Sequence, residues 1–289
     1  MNETSESPQN VMEADMSNWA AMPLGDDADS VLSSLEQGLS VGLITTFDPC
    51  CCEVDDDLEE VVGREDLREF DYLPVKENGE VVGLLHRAEY DAKDATGSVK
   101  EAMCNLRGDL VIAASAGILS YITGAKERPC RLVLQGSRLN GIVTLSDLQK
   151  LPVRPALFLL ITHVELLMAE WLRAKKLSEK KVLNNLIPKR RDGINGKWKD
   201  LQRRNLAIDI LSATEFVDKR VLLQNLCFPA DDVAMEELEA VGSLRHSVAH
   251  AGDYALSPDN AEKTINAVTY ARDWIKRLQN TLEDNKETT

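Results

Sequence analysis

The spacing of apolar positions changes near residue 150. Before it, short apolar and β-branched runs alternate with brief helical patterns. In Leu73–Arg87 (LPVKENGEVVGLLHR), ENGE reads as a turn between two strands. After it, every apolar segment has helical spacing, and the run Pro-Val-Arg-Pro marks a boundary near Leu151–Pro155. The pattern predicts an α/β part followed by an all-α part. The apolar run Pro155–Leu172 predicts a helix reaching Lys176. His163, Glu165 and Glu170 interrupt it, and it falls short of the roughly 20 apolar residues that cross a bilayer, so it reads as a buried helix. Two further amphipathic helices are predicted over Trp198–Leu211 and Asp259–Asn280. In the second, Ile265, Val268, Ala271 (or Tyr270), Ile275 and Leu278 share a face. The first 29 residues are polar and aperiodic, which predicts a disordered acidic tail.

A length of 289 residues suits two ordinary domains. The predicted organisation is therefore a tail at 1–29, an α/β module at 30–151 and a helical bundle at 152–289. Charge sharpens the division. The net charge of -15 is carried by the first 150 residues, with 28 acidic and 12 basic side chains, whereas the remainder is balanced at 20 and 21. The first fifty residues contain nine acids and no Lys or Arg, so the basic start of a secretory signal is absent. Six cysteines, three of them adjacent at Cys50, Cys51 and Cys52, match neither a disulfide framework nor a CxxC metal site. Adjacent thiols on a strand point to alternating faces, and the acids around them raise thiol pKa values. A cytoplasmic protein with no metal and no membrane partner is expected.

The α/β part contains a repeat. Pro74–Glu89 (PVKENGEVVGLLHRAE) aligns without gaps on Leu132–Asp147 (LVLQGSRLNGIVTLSD), sharing strand, turn, strand, Gly, two apolar residues and an acid-closed helix start. With its signature GIVTLSD and the partner GLLHRAE, this part resembles the cystathionine-β-synthase (CBS) domain family over roughly Val31–Lys150. The resemblance implies a tandem CBS pair, a Bateman-type module, that senses nucleotides. CCCEVDDDLEEVV would open the first copy, and VIAASAGILSYIT would supply a strand and helix of the second. It also places an adenine-nucleotide contact on Thr144 and Asp147. A hydroxyl at a helix start can donate to phosphate, and a carboxylate three residues on can accept from a ribose. The first copy departs from the signature, with His86 and Glu89 at those positions. A capping box accounts for Thr144 and Asp147 equally well.

The helical part carries its chemistry in two places. From Arg173 to Arg204 there are 12 basic and three acidic residues. Within this stretch Lys189, Arg190, Arg191, Lys197, Trp198 and Lys199 suit a phosphate backbone and stacked bases, or else form a solvated helix face. Further on, LRHSVAHAG sets Arg245, His246 and His250 just before the break at Gly252 and Pro258. The i, i+4 histidines lack the Glu and third ligand of a zinc site. An imidazole of near-neutral pKa can move a proton at a ribose 2′-hydroxyl, and a guanidinium can hold the phosphate. Arg245, His246 and His250 match the Arg-polar-x-x-x-His signature of the HEPN family of helical nucleases, which the segment Pro155–Leu282 resembles. That resemblance implies a homodimer with a composite catalytic site. It also implies RNA cleavage by 2′-hydroxyl attack, with no cofactor required. In the alternative, Arg245 pairs with a carboxylate and the histidines complement a helix C-terminus.

Joined through a short Pro-containing linker, the two parts read as a ribonuclease gated by an adenine nucleotide. Two rival readings are an inert, dimerising regulatory or scaffold protein and a toxin controlled by a partner protein.

Overall fold

The computed structural model describes residues 34–204, 209–227, 232–250 and 253–287. The acidic tail expected at 1–29 lies outside the described residues. The α/β part builds two four-stranded sheets from a repeated unit. In the first unit, β2 (Cys52–Glu53) leads into α1 (Leu58–Gly63) and then the hairpin β3 (Tyr72–Glu77) and β4 (Glu80–His86). After α2 (Val99–Ala102) and β5 (Cys104–Asn105), the second unit runs β6 (Val111–Ala113), α3 (Ile118–Gly124), β7 (Arg131–Gln135) and β8 (Arg138–Val143). In each unit the opening strand lies parallel to the first hairpin strand. The hairpins carry equivalent irregularities, with register shifts at Val75/Lys76 and Val133/Leu134. The ENGE turn forms as read: Asn78 and Gly79 both take positive φ, which matches the twist of a two-residue hairpin.

The units exchange strands. A short strand ahead of the first unit, β1 (Thr46–Phe47), pairs antiparallel with β8 of the second, giving the order β1-β8-β7-β6. Reciprocally, β5 pairs with β4 of the first, giving β2-β3-β4-β5. Close approach of these strands needs the repeat's shared glycines. A Cβ on Gly83 would stand 2.7 Å from the carbonyl oxygen of Cys104, and one on Gly141 would collide with Thr45.

The helical part comprises α4 (Val153–Ala174), α5 (Glu179–Asn184), α6 (Pro188–Arg203), α7 (Phe216–Cys227), α8 (Asp232–Ala249) and α9 (Pro258–Glu287). The first of these begins at Val153 rather than Pro155, because Pro152 occupies its N-cap and the chain enters it directly from a 3-10 turn at Leu145–Gln149. No extended linker intervenes. By length and composition α4 could cross a membrane, but Leu157, Ile161, Val164 and Met168 are buried against the other helices. The helix expected over Trp198–Leu211 is corrected: α6 ends at Arg203, and beyond 205–208 the chain forms a 3-10 turn at Ile210–Ala213. Asp209 caps that turn by accepting from Ser212 N–H. Along α9, Ile265, Val268, Ala271 and Leu278 are buried as their spacing predicts, joined by Trp274, and Tyr270 and Ile275 are half-buried.

Packing does not respect the change in sequence texture. The first unit has a core of its own around Val61, Leu73 and Val99. The second shares one continuous core with the helices, from Ile118, Ile122 and Val143 through α4 to Trp274.

Candidate functional site

Thr144 and Asp147 lie where β8 turns into the 3-10 helix. Thr144 N–H donates to Asp147 Oδ2 at 2.6 Å in a capping box. The other carboxylate oxygen receives Lys150 Nζ at 2.8 Å, and this ammonium also reaches the Ile44 carbonyl at 2.7 Å. The pair therefore has a structural role whatever else it does, and Asp147 is only 7% exposed. The equivalent residues of the first unit also meet, with His86 Nδ1 2.8 Å from Glu89 Oε1 and the imidazole stacked on Tyr72.

Both Thr144 and Asp147 face a cleft of about 780 Å³. One wall is Asp48–Cys50, another is Glu69–Tyr72, and the third is Ala255–Pro258 of the helical part. The third wall could not have been anticipated from the repeat, since it belongs to the connection between α8 and α9. Burial, followed by nearby acids including Asp71, pushes the Tyr72 phenol up to about 12, so it is a hydrogen-bond donor at neutral pH. A second cavity of about 330 Å³ lies between the hairpins and shares Asp48 and Pro49 with the cleft.

The cysteine triplet borders these spaces without forming one strand. Only Cys52 is in β2, where burial and then Asp56 push its thiol up to about 12. Cys51 turns back to its neighbour, its thiol 3.1 Å from the Pro49 carbonyl oxygen, and Cys50 is exposed.

Arg245, His246 and His250 occupy the last turn of α8 and the residue after it. His250 N–H still donates to the His246 carbonyl, and the two exposed rings stand 4.5 Å apart between centroids. Arg245, five residues before His250, leaves the helix about 140° away around its axis. It turns toward α4, where Nε lies 3.5 Å from Glu165 Oε2 with 40% of the side chain exposed. The same carboxylate receives the buried Lys219 through Oε1 at 3.0 Å. Lys219 also donates to the Thr214 carbonyl at 2.8 Å. Within one protomer, arginine and histidines thus occupy different sides of α8. Among the described residues, no group of three His, Cys, Asp or Glu side chains is placed to hold a metal ion.

The basic cluster divides in a way the sequence did not reveal. Lys189, Lys197 and Lys199 are exposed on α6. Arg190 is held by Asp218 and Glu215, and Arg191 reaches the Asn184 carbonyl at 3.4 Å. Trp198 is corrected from a stacking surface to a core residue, being 5% exposed and packed with Ile194 inside the helical core. Its spacing from Ile194 on α6 was the available signal.

No family model matches this sequence, and no curated protein matches it. Several solved structures resemble part of it. The CBS domain of a bacterial CNNM/CorC family Mg2+ transporter, determined with ATP, is 16% identical, with a TM-score of 0.35, over 44% of this chain and 96% of that one. CBS domains of a transcriptional regulator from Streptococcus pneumoniae are 16% identical over 37% of this chain and 94% of that one, with a TM-score of 0.31. A hexameric CBS-CP12 protein from bloom-forming cyanobacteria is 14% identical over 73% of this chain and 96% of that one, with a TM-score of 0.32. The N-terminal part of this chain is an α/β module of two repeated units, and its C-terminal part is helical.

Proposed function

We propose that this chain is a cytoplasmic, ligand-gated, metal-independent endoribonuclease of the HEPN type, in which the paired α/β units sense an adenine-bearing ligand. One observation carries the gating. The segment that follows His250 is also a wall of the ligand cleft, with Ala255, Leu256, Ser257 and Pro258 facing Thr144 and Asp147 across it. That segment is tied to the helices, since Thr264 donates to the Tyr254 carbonyl and Asn260 to the Asp253 carbonyl at 3.0 Å. A ligand that favours one position of the wall biases the end of α8, as coupling between two sites requires.

In this reading His250 takes the proton from a ribose 2′-hydroxyl as its oxygen bonds to phosphorus, and Arg245 neutralises charge on that phosphate. The P–O5′ bond breaks, with the 5′-oxygen leaving as a hydroxyl protonated by the imidazolium. The divergence of Arg245 and His250 around α8 supports a composite site assembled from two protomers. The outer face of α4 offers an apolar surface for that contact, with Phe158 54% exposed and Leu166 half-buried. Exposed Lys189, Lys197 and Lys199 would hold the RNA backbone.

A second reading, an inert dimerising sensor, is favoured by the Arg245–Glu165 contact and by the buried Trp198. Incubation of the purified protein with labelled single-stranded RNA in EDTA, with and without adenine ligands, separates the two. Cleavage to 2′,3′-cyclic phosphate ends that His250→Ala abolishes supports the nuclease, and an intact RNA under every condition supports the inert sensor.

A further inference from the structure

The charged residues around the cleft decide which adenine compound it accepts. Its charged lining side chains are Asp48, Glu69, Asp71 and Asp147, and no described lining residue is Lys or Arg. The carboxylates of Asp48, Glu69 and Asp71 have no hydrogen-bond or ion-pair partner among the described residues, so nothing in the wall neutralises them. Lys150 stands behind Asp147, but its ammonium is shared among that carboxylate, the Ile44 carbonyl and Thr46. Between these acids the wall is apolar and aromatic, with Phe70, Tyr72, Pro129 and Ile142. Such a lining accepts a flat base, accepts hydrogen bonds from ribose hydroxyls, and repels any group of negative charge placed in the same space.

We propose that the cleft selects a purine nucleoside that carries no phosphate, with preference for one bearing a positive charge on its 5′ side, and discriminates against nucleotides. A phosphate brought among these carboxylates meets like charge on two walls, whereas an ammonium there is attracted by both. Because Asp48, Glu69 and Asp71 are exposed, the discrimination weakens as salt shortens the reach of their field. The proposal rests on the ligand-sensing half of the function above and is independent of RNA cleavage.

Titration calorimetry on the full chain tests it with four probes: adenosine, 5′-amino-5′-deoxyadenosine, AMP, and ATP with and without Mg2+. At low ionic strength adenosine is expected to bind about tenfold more tightly than AMP, the amino compound more tightly still, and the ratios to shrink in high salt. Joint Glu69→Gln and Asp71→Asn substitution should raise AMP affinity relative to adenosine and so narrow the ratio between them, and an unchanged ratio overturns the selectivity. AMP or ATP binding as tightly as adenosine, with or without Mg2+, overturns the selectivity and leaves the cleft a ligand site. Absence of binding by all four overturns the selectivity together with the ligand-sensing reading.

Discussion

Lys219 gives its ammonium to Oε1 of Glu165 at 3.0 Å, across the packing of α7 against α4. The other oxygen of that carboxylate faces Arg245, so a buried cation and a half-exposed one share a single anion. Glu165→Gln would leave the 6% exposed Lys219 with neutral acceptors and no counter-charge, and is expected to cost about 3 kcal/mol of stability in urea denaturation. Adding Lys219→Met should recover most of the loss, since an apolar side chain needs no partner. A loss of the same size in the double variant would show that the pair is not what Glu165 stabilises.

The exchanged strands predict a second sensitivity. Gly83→Ala puts a methyl group 2.7 Å from the Cys104 carbonyl oxygen and 2.9 Å from Met103 Sδ, and only displacement of β5 can relieve it. Destabilisation of about 1–3 kcal/mol is expected. Gly79→Ala, where the turn has open space but positive φ, should cost no more than about 1 kcal/mol. Thermal melts of the two variants compare them directly.

How much of this was legible beforehand differs between elements. The repeat placed both hairpins and Asp147, because a turn such as Asn78-Gly79 and a period of two are local signals. The stripe Ile265, Val268, Ala271 and Leu278 was legible for the same reason. Trp198 was misread because charge density along the sequence hides the fact that one face of α6 turns inward. The wall at Ala255–Pro258 and the Lys219–Glu165 pair were not legible, since each joins residues whose proximity depends on how helices pack.

Asp147→Ala removes both the cap on Thr144 N–H and the partner of Lys150. Stability should fall by about 1 kcal/mol, as for other lost caps. Adenosine binding should weaken as well if the carboxylate accepts from the ribose, and unchanged affinity would confine Asp147 to capping.

Thiol reactivity should follow burial rather than sequence position. Cys50 and Cys104 are exposed, whereas Cys52 and Cys130 are buried with thiols held in the protonated form, chiefly by desolvation. Mass spectrometry after iodoacetamide treatment of the native protein should find the first pair alkylated and the second protected until denaturant is added.

A pH effect is expected at Arg173 and Asp209. Burial raises the Asp209 pKa, but the Arg173 guanidinium and the Ser212 donors outweigh it and hold the carboxyl below its usual range. A depressed carboxyl contributes stability above its unfolded pKa of about 4 and loses it as pH falls through the folded value. Asp209→Asn should therefore lower the melting temperature at pH 7 and converge with the parent protein in strong acid.

The reciprocal placement of β1 and β5 makes the module indivisible. Cutting the chain between the units would take from each sheet a strand that the other half encodes. Trimming the start as far as Cys50 would damage the farther sheet rather than the nearer one. Residues near the beginning must wait for β8, almost a hundred positions later, before their edge is closed. Assembly should accordingly be slow relative to a chain of local contacts, and neither half should be recoverable as a folded fragment.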